Sequence, residues 1–385
     1  MASEKSIKKR ISLKELAEIN KLKQALGIDI LDLPFQMDPG FIKKVQCLIQ
    51  QKPFLGNRNV LLLSEPQFKY HEKNILLFLN RKYRKCDCCF TRHASYSAKA
   101  KLKNVRYIPK TDIQRSSYDH VIVYNCLEFF SHEITKIKGD KFILLLTPKD
   151  GWALAKKPEI YSSLEKFLKK TTCFILFKHH LAYTPFTWSK LKIGSSINWP
   201  ATLDLFFKVP EKPLFDYLFM GGCGRDYQFL YEHRELFKDK KVIITHCDAH
   251  KHTDVYSQED YIYDSKYTRL LKKNRNFVCL NRINEPNYCK VLLYSRVTIC
   301  LFRGIVRYDS ACISDALWYG KPVITNQTMA TEYMKDYIFF IRDGSDLQNV
   351  LQRLEDPAFL QKVSEKAMRY ARKENNIYNI LKKIK

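Results

Sequence analysis

The chain has 385 residues, of which 45% are apolar, with only 12 glycines and 14 prolines. This length exceeds what one hydrophobic core supports, and the composition excludes a disordered protein, so we expect two globular domains. No apolar run approaches the roughly 20 residues of a membrane helix, and the polar, basic start at 1–10 argues against a secretory signal. Twelve cysteines, mostly inside apolar runs, indicate buried thiols in a reducing compartment, so we expect a cytoplasmic protein.

The formal net charge of +26 is concentrated in the first half of the chain. Residues 1–200 contain 36 Lys and Arg against 17 Asp and Glu, a balance of +19, whereas 201–385 contain 30 against 23, a balance of +7. Two interpretations stay open. The first half either has a solvated basic surface, or it contacts an anionic partner such as nucleic acid, a membrane surface or an acidic glycan.

Helical and strand patterns alternate through the first half. Amphipathic periodicity predicts helices over 13–26 and 40–51. Short apolar runs then predict strands at 60–63, 121–124, 142–146 and 174–177, with helices over 72–81, 128–136 and 159–169. Apolar strands that alternate with helices are typical of a parallel sheet buried on both faces.

The pattern breaks at 208–213, K-V-P-E-K-P, which predicts a hinge between domains. It resumes with strands at 217–220, 242–245, 278–280, 297–301, 323–324 and 338–341, and helices at 346–355 and 357–373. We therefore predict two α/β domains over 1–208, with a helical N-terminal extension, and 209–373, and a helical tail over 374–385 that packs back on the first domain. Ligands of such sheets bind beyond the carboxyl ends of the strands.

The loop after the first strand of the second domain reads G-G-C-G-R-D over 221–226. Glycine lets the backbone approach a diphosphate closely, and the guanidinium of Arg225, at the start of the next helix, can bind a phosphate. A tight strand-to-helix turn also needs glycine, so the loop by itself favours an ordinary turn. Together with the passage from Asp309 to Asp315 in the same domain, it favours a ligand site.

A second candidate passage, R-Y-D-S-A-C-I-S-D-A-L-W-Y-G-K-P-V-I-T-N, covers 307–326. Asp309 and Ser310 are predicted to cap a helix whose N-terminal amides face an anion. Gly320 is predicted to end that helix before a buried strand.

Asp315 lies further along the same predicted helix, where a carboxylate can bind the hydroxyls of a ribose. The alternative is a surface carboxylate that interacts with Lys321. Arg303 and Arg307 can neutralise a departing diphosphate, or they are ordinary surface charges.

Cys86, Cys88 and Cys89 with His93 suggest a zinc site. Their spacing, however, is C-x-C-C and not C-x-x-C, and no second pair of ligands follows at a suitable distance, so we predict no metal site. Two histidine-containing groups follow predicted strands. His246, Asp248, His250 and His252 favour a solvated loop over a metal site, and His179 with His180 can line the cleft but has no specific signal.

Four blocks over 215–373 occur in a familiar order: F-M-G-G-C-G-R-D-Y, V-C-L-N-R-I, Y-C-K-V-L-L-Y-S-R-V-T-I-C-L-F and S-D-A-L-W-Y-G-K-P-V-I-T-N. They resemble the GT-B glycosyltransferases of retaining family 4, whose signature is E-A-x-x-x-G-x-P-V-I. Glu332 and D-G-S-D at 343–346 also fit that order. The resemblance implies two Rossmann-like parallel-sheet domains facing a cleft, with the donor held mostly by the second and the acceptor by the first.

The resemblance also implies residue roles. Arg225 matches the diphosphate-binding arginine, and Asp315 matches the second of two acids, the one that binds ribose. Arg307 stands where the first acid is expected, so Asp309, the nearest carboxylate, is a catalytic candidate together with Arg225, and Leu230 stands near a position usually held by lysine. The candidate donor-binding residues are Gly222, Gly224, Arg225, Arg282, Arg303, Arg307, Tyr308, Asp309, Ser310 and Asp315.

The predicted function is transfer of a hexose from a GDP- or UDP-sugar, with GDP-mannose preferred on family usage, to a glycan or other anionic acceptor on the basic first domain. Retention of configuration and independence of metal are implied by the resemblance, and the only cofactor-like molecule is the nucleotide-sugar co-substrate. The alternatives are an enzyme that glycosylates DNA, a peripheral membrane enzyme that contacts anionic lipid near 8–10, and a non-catalytic GT-B binding protein. A homodimer is left open.

Overall fold

The computed structural model describes residues 12–33, 58–64, 79–80, 83–90, 104–124, 126, 129–145, 167, 172–175, 209–210, 212–220, 224–245, 258–281, 283, 285–303, 311–326 and 337–373. The chain divides into two compact units, each built on a six-stranded sheet. No helix in these ranges combines the length and the apolar character needed to cross a bilayer.

The first sheet is parallel throughout. Its strands are β1 (Asn59–Ser64), β2 (Lys85–Phe90), β3 (Val105–Tyr107), β4 (Ser117–Tyr124), β5 (Lys138–Leu145) and β6 (Thr172–Ile175). They lie in the spatial order β3-β2-β1-β4-β5-β6, so the chain changes direction between β1 and β4. The four apolar residues of β1 are fully buried, as expected for a strand in the middle of such a sheet.

Four strands of this sheet, β1, β4, β5 and β6, confirm the sequence prediction, but β2 and β3 were not predicted. For β2 the reason is Asp87, which interrupts the apolar run of the strand and is completely buried. Its carboxylate accepts bonds from Arg106 Nε at 3.0 Å and from the Tyr118 hydroxyl at 3.0 Å, and Lys85 Nζ lies 3.3 Å away. A buried carboxylate needs such partners, and only the folded sheet brings them together.

The second sheet repeats the topology of the first. Its parallel strands are β7 (Phe215–Phe219), β8 (Val242–Ile244), β9 (Phe277–Cys279), β10 (Ser295–Cys300), β11 (Val323–Thr325) and β12 (Ile338–Phe340). The spatial order is β12-β11-β10-β7-β8-β9, with the change of direction between β7 and β10. All six confirm predicted strands. The carboxyl ends of β7, β10 and β11 are therefore neighbours at one edge of the sheet.

Helices flank these strands in sequence. They are α1 (Leu13–Leu26), α2 (Ser131–Ile134), α3 (Tyr227–Glu232), α4 (Gln258–Leu271), α5 (Glu285–Tyr294), α6 (Ala311–Trp318), α7 (Gly344–Glu355) and α8 (Pro357–Lys373). Ser12 caps α1 by accepting a bond from Glu15 N at 3.2 Å, and Gly27 ends it with φ of 69°. Asp343 caps α7 by accepting from the backbone amides of Ser345 and Asp346, so part of the D-G-S-D block has a structural role.

The N-terminal helix α1 packs on the second unit, although it precedes the first sheet in the chain. The Glu18 carboxylate accepts a bond from Asn281 N at 2.8 Å, and Glu15 accepts one from Asn287 Nδ2 at 2.7 Å. Lys290 Nζ donates to the carbonyls of Ile30 and Leu31, just after α1. These bonds connect the start of the chain to β9 and α5.

Other predicted elements lie wholly or mostly outside the described residues. They are the helices at 40–51, 72–81 and 159–169 and the tail at 374–385. The domain boundaries at 208 and 373 stay predictions.

Candidate functional site

Segments that follow β7, β10 and β11 meet at the carboxyl edge of the second sheet. Arg303 N donates to the carbonyl of Gly224 at 3.0 Å, and Asp226 N donates to the carbonyl of Leu301 at 3.1 Å. Arg225 and Phe302 form an isolated antiparallel bridge between the same segments. Residues distant in sequence thus form one continuous surface at the sheet edge where parallel α/β proteins bind ligands.

Arg225 is 7% exposed and is held by contacts of two kinds. Its Nε donates to the carbonyl of Met220 at 2.8 Å, and its guanidinium carbon lies 4.1 Å from the centre of the Phe302 ring. A guanidinium stacked on an aromatic ring gains cation–π energy and keeps its planar orientation. The structure therefore fixes a cation at the edge where the sequence predicted one.

Gly224 explains why the turn before Arg225 needs glycine. Its φ is +67°, in the left-handed region that residues with a Cβ rarely adopt. Its neighbour Asp226 caps α3 by accepting a bond from Phe229 N at 2.9 Å. Gly224 is therefore needed for an ordinary strand-to-helix turn, as one of the two interpretations of the loop predicted. That turn also places Arg225 against Phe302.

Two residues of this edge, Phe302 and Asn326, were not identified from the sequence. Asn326 follows β11 directly, and its Oδ1 accepts a bond from Phe302 N at 2.8 Å. Its Nδ2 donates to the carbonyl of Phe302 at 2.7 Å. The only available signal was position, since an asparagine directly after a predicted strand lies at the ligand-binding edge.

Asp315 lies in α6 and is 4% exposed, so it is not the surface carboxylate of the alternative interpretation. Lys321, the partner proposed in that alternative, is also buried, and its Nζ donates to the carbonyl of Leu293 at 2.7 Å. Burial lowers the pKa of Lys321 to about 7. Asp315 therefore lies in the interior of the second unit, and its role in binding ribose stays a prediction.

Gly320 ends this helical passage as predicted. Its φ is +66°, and a Cβ there would lie 2.9 Å from both the Ser364 carbonyl oxygen and Met368 Cε of α8. Leu230, near the position where the resemblance expects lysine, is completely buried in the core of the second unit. A lysine at this position would have to replace a core side chain.

Arg303 is half-buried beside Gly224 at the same edge. The remaining predicted site residues, Gly222, Arg282, Arg307, Tyr308, Asp309 and Ser310, lie outside the described residues. The helix cap by Asp309 and Ser310 and the catalytic assignment of Asp309 therefore stay predictions.

The cysteine group of the first domain is part of β2. Cys86, Cys88 and Cys89 are buried, and the first two sulfurs lie 3.4 Å apart. Burial raises the pKa of the Cys89 thiol to about 11, which favours the protonated form. Within the described ranges no group of three or more His, Cys, Asp or Glu has a metal-binding arrangement. His93, the 246–252 group and His179–His180 lie outside those ranges.

Neither a protein-family model nor a curated protein sequence matches the chain, but solved structures do. HepE of Anabaena, in complex with UDP and glucose, matches with a TM-score of 0.55 at 10% identity, over 85% of this chain and 98% of HepE. The lipopolysaccharide outer core galactosyltransferase WaaB matches at 0.53 with 11% identity, over 85% and 99% of the two chains. Sucrose-phosphate synthase from Thermosynechococcus elongatus matches at 0.52 with 10% identity, over 85% and 97%.

At these identities the likeness concerns the fold. The matches extend over most of both chains, and they agree with two parallel sheets that share one strand order. The chain has the GT-B fold, built from two Rossmann-like α/β domains.

Proposed function

We propose that this protein is a glycosyltransferase that moves a hexose from a UDP- or GDP-sugar to a glycan or another acceptor. One observation carries the proposal: Arg225 is held against Phe302 at the carboxyl edge of the second sheet, where its guanidinium can meet a diphosphate. The buried Asp315 on α6 supports it. A cation at the carboxyl edge of the sheet and a buried carboxylate on the helix that follows β10 suit a nucleoside diphosphate.

The chemistry of the transfer gives these residues separate tasks. Breaking the sugar–phosphate bond builds negative charge on the diphosphate, and a preorganised arginine stabilises that charge most in the transition state. Arg225 has this task, with Arg303 beside Gly224 as a second cation. Asp315 binds the ribose hydroxyls as an acceptor.

The donor nucleotide is open between uridine and guanosine. Family usage favours GDP-mannose, whereas the HepE complex contains UDP and glucose. Retention of configuration and independence of metal belong to the proposal on the basis of the resemblance, and a cytoplasmic location belongs to it on the basis of the cysteines in apolar runs. The basic first half suits an anionic acceptor.

Titration calorimetry tests the donor site. UDP, GDP, UDP-glucose and GDP-mannose are titrated one at a time into the full chain. We expect at least one of the two nucleotides to bind together with its sugar conjugate. Arg225→Ala should weaken that binding by about tenfold or more, because charge-assisted bonds to the diphosphate are lost.

Arg234→Ala is the matched control. Arg234 also stacks on an aromatic ring, 4.5 Å from the Tyr231 ring centre, and also donates to a backbone carbonyl, but it lies in the helical segment after α3. Its substitution should leave affinity unchanged. Equal affinity in the Arg225 variant and the wild type would refute the assignment of Arg225.

The non-catalytic alternative makes a different prediction. A GT-B protein that has lost its chemistry binds nucleotide without turning over the donor. Release of UDP or GDP from the donor that binds, followed over hours with and without acceptor glycans, separates the two. Donor hydrolysis or transfer eliminates the binding protein.

A further inference from the structure

Asn326 extends the pairing of β10 and β11 by means of its side chain. The last backbone pair of these strands joins Cys300 to Thr325. Beyond this pair, the side chain of Asn326 bonds to the backbone of Phe302. Its Oδ1 accepts from Phe302 N at 2.8 Å, and its Nδ2 donates to Phe302 O at 2.7 Å. Both polar groups of one backbone residue are thus held by a single side chain, in the manner of a β-bridge.

Asn326 bonds to Phe302, and Phe302 is also the residue on whose ring the Arg225 guanidinium stacks. Phe302 is 4% exposed and its ring stacks with the Arg225 guanidinium, and the two residues also form a backbone bridge. The next residue, Arg303, is bonded to the Gly224 carbonyl. A displacement of the Phe302 backbone must therefore move both the ring and the turn that carries Arg225.

We propose that Asn326 is a positioning residue for anion binding by Arg225, acting through Phe302 without touching the ligand. The inference rests on the proposed function, because it takes the diphosphate of a nucleotide as the anion. A cation that is already oriented loses less conformational entropy on binding and reorganises less as charge develops. Removal of the Asn326 amide breaks the two bonds that join the Phe302 backbone to the end of β11, so Arg225 should sample more orientations.

A double-mutant cycle tests the proposal. UDP and GDP are titrated into the full-length wild type, Asn326→Ala, Arg225→Ala and the double variant. Asn326→Ala should weaken nucleotide binding by about tenfold when Arg225 is present. In the Arg225→Ala background the same substitution should have no further effect on affinity, because the residue through which it acts is absent.

Asn276→Ala is the control for a general loss of stability. Asn276 Nδ2 also donates to a backbone carbonyl, that of Phe237, at 2.7 Å in the same unit, but it precedes β9 at the opposite edge of the sheet. This variant should lower the melting temperature and leave nucleotide affinity unchanged. Asn326→Asp, which keeps the acceptor for Phe302 N and loses the donor, replaces Asn326→Ala if the latter does not fold.

The outcomes are distinguishable. If Asn326→Ala weakens binding equally in both backgrounds, or lowers only the melting temperature, the positioning role is refuted while the donor site stands. If the wild type binds neither UDP nor GDP, the proposed function fails and the inference fails with it. A loss of affinity that disappears in the Arg225→Ala background supports both.

Discussion

At the scale of single residues, the second unit places a lysine where no charge is expected. Lys321 is buried, and its Nζ donates to the carbonyl of Leu293, in the last turn of α5. A helix C-terminus attracts cations, but the loss of water around the ammonium group dominates and lowers its pKa from 10.5 to about 7. At neutral pH the folded protein therefore holds a lysine close to its midpoint of ionisation.

This pKa predicts a pH-dependent stability. Between pH 7 and 10.5 the unfolded chain binds the Lys321 proton and the folded chain does not, so stability relative to Lys321→Met should rise with pH across this window and stay level below it. The slope is at most about 1.4 kcal/mol per pH unit. Thermal unfolding of both proteins at several pH values from 6 to about 10 measures it. Parallel curves would show that Lys321 does not titrate in this range.

At the scale of elements, helix α1 is joined to the second unit by two buried carboxylates. Glu15 and Glu18 are each 6% exposed. Glu15 bonds to Asn287, in the first turn of α5, and Glu18 bonds to Asn281, which lies before α5. Asn281 follows β9, so α1 holds a loop at the carboxyl edge of the second sheet. An N-terminal segment thereby becomes part of the unit that carries the candidate site.

Removal of one of these carboxylates should cost more than a surface charge does. Glu18→Ala leaves the backbone amide and side-chain amide of Asn281 without their acceptor, which should destabilise the protein by about 1–3 kcal/mol. Lys21→Ala, which removes the exposed partner of Glu18, should cost less than about 1 kcal/mol. Chemical denaturation of both variants gives the comparison. Equal losses would mean that the bonds of Glu18 to Asn281 add nothing beyond its pair with Lys21.

At the scale of the whole molecule, the charge of +26 predicts attraction to polyanions whether or not one is the substrate. An enzyme that glycosylates DNA needs more than this attraction, because binding through phosphate contacts alone weakens steeply with salt. DNA binding at a single salt concentration therefore does not separate the proposed function from its DNA-directed alternative, but the salt dependence of that binding does.

We expect duplex DNA to bind at about 50 mM salt and to dissociate by about 200 mM, as non-specific association does. Fluorescence anisotropy with a labelled duplex measures the dependence, and vesicles with and without anionic lipid provide the matched test for membrane contact. Tight binding to DNA at 200 mM that also survives competition by a second polyanion would favour the DNA-directed alternative.

Prediction from the sequence succeeded where structure follows from local pattern. Uninterrupted apolar runs identified β1 and the strands of the second sheet, and Gly320 marked the end of α6 because its conformation excludes most other residues. It failed at β2, whose Asp87 is compatible with burial only through Arg106 and Tyr118 on other strands. In the candidate site, the ligand roles of Arg225 and Asp315 stay predictions, whereas Phe302 and Asn326 have no distinctive motif.

The sequence by itself determined two parallel α/β sheets, and it predicted a ligand site at the carboxyl edge of the second, with an arginine and an acid. Only the tertiary structure decided which loops meet there. Strands β7 and β10 are neighbours in space but not in sequence, and the bonds that join Asn326 to Phe302 span 24 residues. The same holds for α1, whose partners Asn281 and Asn287 lie in the other half of the chain. Hydrogen bonds between distant residues leave no periodic trace in a sequence, because their geometry exists only after the sheets have formed.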